Sequence, residues 1–297
     1  MNLKLIDAAI AGYQDKIDDA DKERLSFFRD LWEVQARCAE KADAEAYIAP
    51  GAEALADAKF AFEVAPVEID AALFAETLEA LARAMVDSGY YPDEVAEGLA
   101  AIDWQDVAHT SDLALLGSDP ARGLIVAAEA LEMKGMPEGA ARLAAIAVVM
   151  ALKPQLEGPA ARAMKVREAA HLADEHPLFC PVCGTAPALA HVGGKTSSAG
   201  RGRVLVCPQC GTAWEFERVR CARCGTHNQT HLHFFNLEGD DAHRIATCEE
   251  CGGYIRTLYS EDALAPCSYE VEDVVMAKLD AVAQDPRIAA GKMEERA

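Results

Sequence analysis

The stretch CPQCGTAWEFERVRCARCG, residues 207–225, contains two Cys-x-x-Cys-Gly units separated by ten residues. Two further units, CPVCG from residue 180 and CEECG from residue 248, lie on either side of it. The interval from the first unit to the third, 180 to 221, equals the interval from the second to the fourth, 207 to 248. The pattern Cys-x2-Cys-x23-Cys-x2-Cys therefore occurs twice, which indicates a tandem duplication of one module.

The chain between the cysteine pairs decides which pairs can share one metal ion. Four thiolates around a tetrahedral ion lie about 2.3 Å from it and about 4 Å from one another, so the chain between two pairs must reverse direction. The ten residues GTAWEFERVR alternate and lack Pro, Asn and Asp, so they predict one strand that carries the third unit about 30 Å from the second. The two longer segments, between the first and second units and between the third and fourth, contain turn sequences, GGKTSSAGRG and NLEGDDA, which predict hairpins.

Two separate four-cysteine metal sites are therefore predicted. The glycine after each second cysteine fits this interpretation, because a metal knuckle needs a residue there that tolerates positive φ. Four such pairs favour metal ligation over a disulfide framework or a thioredoxin-type redox pair. An all-thiolate tetrahedral site suits Zn²⁺ and a single rubredoxin-like iron equally, so the ligands leave the metal open. The predicted ligands are Cys180, Cys183, Cys207 and Cys210 for the first site, and Cys221, Cys224, Cys248 and Cys251 for the second.

The rest of the chain predicts helices on both sides of the modules. Before residue 174, apolar residues recur at spacings of three and four, and breakers such as Pro50 and Pro66 separate about seven or eight helices. After the modules, the stripe in SYEVEDVVMAKLDAVAQ, residues 268–284, predicts a single closing helix. One of the first stripes consists of Phe27, Leu31, Val34 and Cys38.

The expected fold class is α+β. An all-α helical N-terminal domain spans residues 1–174, and the composition shifts towards Cys, Gly and β-branched residues at HPLFCPVCG. Two tandem rubredoxin-like or zinc-ribbon modules follow over residues 175–262, dividing between residues 219 and 220. A C-terminal helix and tail occupy residues 263–297.

Composition excludes some classes of partner. The 297 residues include 28 Lys+Arg and 49 Asp+Glu, a formal net charge of −21. This charge repels phosphate backbones and anionic lipid surfaces, so nucleic acid and membrane partners are disfavoured. Asp7 comes too early for a secretory signal, and the longest apolar run, residues 143–152, is about half a membrane span. We therefore expect a cytoplasmic protein without a membrane span.

No catalytic constellation is visible in the sequence. It has no Gly-rich phosphate loop, no nucleophile elbow and no His-Glu-x-x-His motif, so no enzyme activity is expected. His231 and His233 lie on one side of a predicted strand, but both metal sites are already complete with sulfur, which favours surface or core histidines. The other six histidines show no ligand-like spacing. Cys38 is best explained as a small buried apolar residue.

The cysteine region resembles the FdhE family of formate dehydrogenase accessory proteins. The resemblance rests on the number and spacing of the knuckles, the strand TAWEFERVRCARC, the segment LYSED after the fourth knuckle and the closing helix VEDVVMAKLDA. It covers residues 180 to about 282. It implies a cytoplasmic protein that helps to mature or activate molybdenum- or tungsten-containing formate dehydrogenases by binding their catalytic subunit. It also implies rubredoxin-like iron at the eight knuckle cysteines, with zinc as the other possibility.

Two other functions stay open from the residues alone. A zinc-ribbon nucleic-acid binder is one, because residues 180–260 hold 8 Lys+Arg against 7 Asp+Glu and are nearly neutral, although no concentrated basic face is evident. A rubredoxin-like electron-transfer protein is the other. It fits two iron sites, but a helical region as long as residues 1–174 is superfluous for a simple carrier.

Overall fold

Helices come first along the chain, and a sheet follows them. The computed structural model describes residues 1–132, 137–172, 176–193, 202–260 and 265–284. These residues form ten helices, then a six-stranded sheet, then two short helices, which confirms the expected α+β class. Helices α1–α10 are Leu3–Ala11, Asp19–Ala39, Ala52–Asp57, Ala61–Val64, Ala71–Asp87, Asp93–Ala100, Trp104–Thr110, Leu113–Ser118, Pro120–Glu132 and Glu138–Ala169. Strands β1–β6 are Leu189–Val192, Arg203–Val206, Ala213–Phe216, Leu232–Asn236, His243–Cys248 and Tyr254–Tyr259, and the last helices are α11, Tyr269–Val275, and α12, Ala277–Ala283.

The ten helices before the sheet exceed the seven or eight expected, because α3, α4 and α8 have only four to six residues and leave no periodic signal. The longer helices follow the predicted stripes. Helix α2 buries its stripe from Phe27 to Cys38, and its first turn is capped by the Asp18 carboxylate. Asp70 caps α5 in the same way by accepting two backbone N–H groups.

Helix α10 is the central element of the helical region and contains two prolines in its 32 residues. A proline inside a helix removes one N–H donor and leaves the carbonyl four residues earlier without its helical partner. For Pro154 this carbonyl belongs to Met150, and it accepts a hydrogen bond of 2.8 Å from Nε2 of Gln35 on α2. The adjacent carbonyl of Val149 accepts one of 3.1 Å from Nε2 of Gln209, within the second knuckle. The proline therefore opens the backbone of α10 where α2 and the cysteine region dock.

Helix α10 is long and apolar enough to cross a membrane, judged by length and composition alone. Among the described residues it is the one such helix, and 61% of its most apolar window is buried inside the protein. A buried core helix meets the same criteria, so this is weak evidence for a span.

The six strands form one sheet in the order β3-β2-β1-β6-β5-β4. Each module contributes three antiparallel strands, and the modules join through parallel pairing of β1 with β6. The pairing of Arg203 with Phe216 in the first module recurs as Arg244 with Thr257 in the second, with the same sequence offset on both strands. The sequence duplication is thus repeated in the register of the second and third strands of each module.

The chain between the second and third knuckles differs from the prediction of one long strand. Strand β3 ends at Phe216, and the chain turns over residues 218–220. Two guanidinium groups hold this turn. Arg203 donates to the carbonyl of Arg220 at 3.0 Å, and Arg220 donates to the carbonyls of His176 and Gly225. The alternation of residue types in GTAWEFERVR contains no information about these long-range hydrogen bonds.

The predicted single closing helix is also wrong, because the chain forms α11 and α12 with a break at Met276. Nη1 of Arg256, on β6, donates to the backbone carbonyl of Asp273 at 2.8 Å. In a continuous helix this carbonyl would accept from residue 277. An arginine on the sheet therefore competes with the helical hydrogen bond where the helix breaks.

One apolar core runs from the helices into the first module and reaches Ala222 and Ile255 of the second, and a smaller one lies between the sheet and α12. The predicted turn in NLEGDDA is confirmed, since it joins β4 to β5 with Gly239 at a φ of +83°. The predicted turn GGKTSSAGRG falls largely on residues 194–201, outside the described residues, and so does the predicted tail. The domain boundary at residue 174 also lies outside them and stays a prediction.

Candidate metal centres

The eight knuckle cysteines come together as two groups of four. Within each group, the sulfur atoms all lie within 4.8 Å of one another. The second and third knuckles, which are adjacent in the sequence, belong to different groups. The first site consists of Cys180, Cys183, Cys207 and Cys210, and the second site consists of Cys221, Cys224, Cys248 and Cys251.

The sulfur separations fit a small tetrahedral cage. In the first site, the sulfurs of Cys183 and Cys207 are 3.4 Å apart, and in the second site those of Cys224 and Cys248 are 3.8 Å apart. A tetrahedron with metal–sulfur bonds of about 2.3 Å has edges of about 3.8 Å. Two sites that could each hold one metal ion are therefore present in the described part of the chain.

All four knuckles share one backbone pattern. The N–H of the first cysteine donates to the carbonyl five residues later, and the glycine N–H donates back to the carbonyl of the first cysteine. In the first knuckle these bonds are 2.9 Å, from Cys180 to Thr185, and 3.0 Å, from Gly184 to Cys180. The four glycines have φ values from +69° to +81°, which confirms the predicted need for a residue that tolerates positive φ.

Backbone N–H groups also point at the sulfurs. The N–H of Val182 lies 3.4 Å from the sulfur of Cys180, and the N–H groups of Arg223 and Cys224 lie 3.3 and 3.4 Å from that of Cys221. Such donors stabilise thiolates, which are the metal-binding form of cysteine. The short turns therefore supply both the ligands and part of their electrostatic environment.

The two sites have different electrostatic surroundings. Burial raises the pKa of the Cys180 thiol well above its usual value, and the neighbouring sulfurs raise it further. At Cys221 partial burial acts in the same direction, but the N–H groups of Cys224 and Arg223 outweigh it and lower the pKa. Four thiolates in the buried first site need a cation beside them, because uncompensated buried charge is costly. A divalent ion that prefers sulfur, such as Zn²⁺ or Fe²⁺, fits this donor set.

Helix α4 holds the first knuckle against the helical region. Its first two backbone N–H groups, of Ala61 and Phe62, donate to the carbonyls of Pro181 and Val182 at 3.0 and 2.9 Å. Helix N-termini have N–H groups without helical partners, so the knuckle satisfies them. A side chain at Gly184 would place its Cβ 2.9 Å from the ring of Phe60, just before α4, so any other residue here would displace that ring as well as adopt a positive φ.

The second site is attached to the first module. Arg223, between the two cysteines of the third knuckle, donates from its side chain to the carbonyls of Tyr254 and Pro187 at 2.9 and 3.2 Å. Pro187 lies just before β1, and Tyr254 begins β6, so one guanidinium ties the knuckle to the two strands at which the modules join. Cys224 and Cys251 of this site are exposed.

The histidines expected at the surface or in the core are found there. His233 lies 3.1 Å from Glu249 and His231 lies 3.6 Å from Glu250, all at the surface, and neither histidine belongs to a sulfur group. Cys38 is buried in the helical core, as expected.

A buried polar cluster around His243 was missed by sequence reasoning. Its Nδ1 lies 2.9 Å from Asp240, and its Nε2 lies 3.0 Å from Glu272 on α11. The hydroxyl of Tyr13, in the loop after α1, donates to the Glu272 carboxylate at 2.8 Å. Asp240 lies three residues before His243 and was a usable local signal. Tyr13 and Glu272 are far away in the sequence, and no local pattern connects them.

Comparison with known proteins finds relatives named FdhE that are similar to part of this chain. No model of a known protein family matches the chain. An FdhE homolog of Cronobacter sakazakii is 41% identical over 87 residues, which cover 28% of this chain and 26% of that protein. An FdhE homolog of Aquifex aeolicus is 32% identical over 108 residues, which cover 36% of this chain and 37% of that protein. The matches thus span only about a quarter to a third of the length of these relatives.

A solved structure extends the similarity to the fold. The crystal structure of the FdhE protein from Pseudomonas aeruginosa matches 94% of this chain and 88% of its own, with a TM-score of 0.54. The sequence identity over this alignment is 18%, so the comparison shows a shared fold.

Proposed function

We propose, from the confirmed resemblance of this chain to the FdhE family, that it is an accessory protein for formate dehydrogenase. It acts in the cytoplasm on the catalytic subunit, which it binds while that subunit matures or becomes active. It is a scaffold with two four-cysteine metal sites and carries out no reaction of its own. The observation that carries the proposal is the pair of four-sulfur cages, present on a fold shared with an FdhE protein.

The first and second sites would each hold one ion through four cysteine thiolates. The family resemblance favours rubredoxin-like iron, and zinc fits the same sulfur ligands. When bound, the ions crosslink knuckles from separate parts of the chain, and iron adds the ability to exchange one electron. Metal binding supplies on the order of 10 kcal/mol in small zinc modules, so the fold of the two modules depends on loaded sites.

A scaffold role also fits the other polar groups. The cluster of Tyr13, His243 and Glu272 lies between packed elements, and His243 is only 4% exposed. Its carboxylates and hydroxyl are used in bonds between the loop after α1, the sheet and α11. Such a cluster holds elements together and is poorly placed to meet a substrate.

The partner is tested by co-expression with the catalytic subunit of formate dehydrogenase under anaerobic conditions. We expect affinity capture of this chain to recover the subunit. Replacing Cys207 and Cys210 with serine should abolish capture, because the first module would lose its fold. Cys267→Ser is the matched control, since Cys267 lies outside both sites, and it should preserve capture. Failure of the unaltered chain to recover the subunit would reject the proposal.

The metal is identified separately on protein purified without oxygen. Elemental analysis should give two ions per chain, and iron would add thiolate-to-iron absorption bands that zinc lacks. Serine at Cys183 or at Cys224 should each reduce the content by one ion. Metal-free protein that keeps its fold and its partner would contradict the role assigned to the two sites.

A further inference from the structure

The two sulfur cages are equivalent in sequence but lie in different surroundings. All four cysteines of the first site are buried, and none is more than 3% exposed. In the second site Cys221 and Cys248 are buried, whereas Cys224 and Cys251 are exposed. The exposed sulfurs come from different knuckles, so two of the four donors border the solvent.

Access governs how fast a thiolate cage loses its ion. A competing thiol or chelator must first reach the metal or one of its sulfurs, and one protein sulfur must then move away. At the second site this can begin at Cys224 or Cys251 without unfolding. At the first site it requires the apolar core to open, because the core contains the cysteines themselves.

Threonine hydroxyls contact the sulfurs of the first site more than those of the second. At the first site, the Thr185 hydroxyl lies 3.3 Å from the sulfur of Cys183, and the Thr212 hydroxyl lies 3.2 Å from that of Cys210. At the second site, the hydroxyl of Thr226 instead accepts from the N–H of Asn228.

The fourth knuckle is the least enclosed of the described knuckles. The position corresponding to Thr212 is Gly253, which has no hydroxyl. A Cβ added at Gly252 would meet nothing within 4 Å, whereas one at Gly184 in the first knuckle would collide with Phe60.

Attachment to the rest of the fold completes the contrast. The first site is bonded to two helices, through Ala61 and Phe62 of α4 and through Val149 of α10. The second site is held by Arg223 to the sheet, and its fourth knuckle carries the surface residues Glu249 and Glu250. Local opening of the second site therefore disturbs fewer buried contacts.

From these differences we infer that the second site is the exchangeable metal site of the protein and that the first site retains its ion. The inference rests on the metal binding in the proposed function. It adds that soluble thiols, chelators or a bound partner can reach the ion held by Cys221, Cys224, Cys248 and Cys251. The ion of the first site stays in place as part of the core.

The test uses the full-length protein loaded anaerobically with two equivalents of Zn²⁺. Excess chromogenic chelator is added, and zinc release is followed over time. We expect two phases of one ion each, with the faster phase at least tenfold faster than the slower one. In parallel, the protein is alkylated with iodoacetamide during release, and labelled cysteines are mapped by mass spectrometry. Among the eight knuckle cysteines, the first labels should appear at those of the second site.

Matched variants assign the phases. Cys183 and Cys224 are the second cysteines of the first and third knuckles, so they occupy equivalent positions in the two modules. Cys224→Ser should remove the fast phase and leave the slow one, and Cys267→Ser should leave both unchanged. Cys183→Ser, in the first site, should instead remove the slow phase. If that variant does not fold, label mapping on the unaltered protein still shows which site releases its ion first.

Two ions that leave at one common rate, or first labels at the cysteines of the first site, would overturn the inference. Binding of fewer than two zinc ions before the challenge would instead contradict the metal-binding part of the proposed function.

Discussion

His243 connects three distant parts of the chain through two ring nitrogens. It faces Asp240 in the preceding turn, Glu272 on α11 and the hydroxyl of Tyr13 after α1, with Lys278 lying 3.9 Å from Asp240. Burial lowers the pKa of the imidazole, but the two carboxylates outweigh it and raise that pKa above its usual value. The charged imidazole therefore stabilises the packing of α11 and the loop after α1 on the sheet.

This cluster predicts a pH dependence of stability. Because the pKa of His243 is higher in the folded chain, its contribution is complete below about pH 6.5 and is lost as the pH rises through the folded pKa. His243→Gln removes the titrating group. We expect the difference in free energy of unfolding between wild type and variant to shrink from pH 6 to pH 9, by at most about 1.4 kcal/mol per pH unit.

Denaturant unfolding of both proteins with equal metal content measures this difference, and effects of pH on the thiolates cancel in the comparison. Parallel stability curves for wild type and variant would contradict the assignment.

Between elements, Lys153 of α10 and Glu270 of α11 form an ion pair of 3.0 Å with little exposure. Burial lowers the pKa of Lys153, but Glu270 and then Glu157 outweigh it and raise that pKa. The ammonium is therefore charged in the folded protein, and it links α10 to α11.

Removing the lysine should be costly, since it leaves a mostly buried carboxylate without its partner. Lys153→Met is expected to lower the free energy of unfolding by roughly 3 kcal/mol. Arg142→Ala is the matched control on the same helix, because the Arg142–Glu138 pair is 74% and 79% exposed, and it should change stability by less than about 1 kcal/mol. Chemical denaturation distinguishes the two, and equal losses would show that the pair between α10 and α11 contributes little.

Elements built from local contacts were predictable from the sequence. The knuckles are short turns whose bonds join residues four and five positions apart, so Cys-x-x-Cys-Gly specifies them, and the spacing between units indicated the grouping of the sulfurs. The break at Met276 depends on Arg256, and the turn after β3 depends on Arg203 and His176. These partners come from other elements, and a periodicity pattern contains no information about them.

At the scale of the whole molecule, the two metal sites differ in the part of the fold that they stabilise. The main apolar core includes the four cysteines of the first site together with buried residues of the helices, such as Phe62 on α4 and Leu152 on α10. No cysteine of the second site belongs to that core, although Ala222 of the third knuckle does. The first module is therefore part of the same folding unit as the helices.

Matched substitutions should reveal this difference. Cys207→Ser is expected to lower the thermal stability of the helices as well as the sheet, because it opens the shared core. Cys248→Ser, at the equivalent position, should leave the helical transition within about 3 °C of wild type, since only local contacts are lost. Thermal melts followed by far-ultraviolet circular dichroism measure this. Equal losses of helical stability would show that both sites support the core alike.

The parallel pairing of β1 with β6 places the last strand of the later module beside the first strand of the earlier one. Two-fold symmetry would have paired like with like and closed the assembly. This head-to-tail order instead leaves β4 at the border of the sheet, in the position that β1 would occupy without β6. A third module would find at β4 the same kind of edge strand that β1 presents to β6. Head-to-tail order, unlike two-fold pairing, thus ends in an edge strand equivalent to the one at which the two modules join.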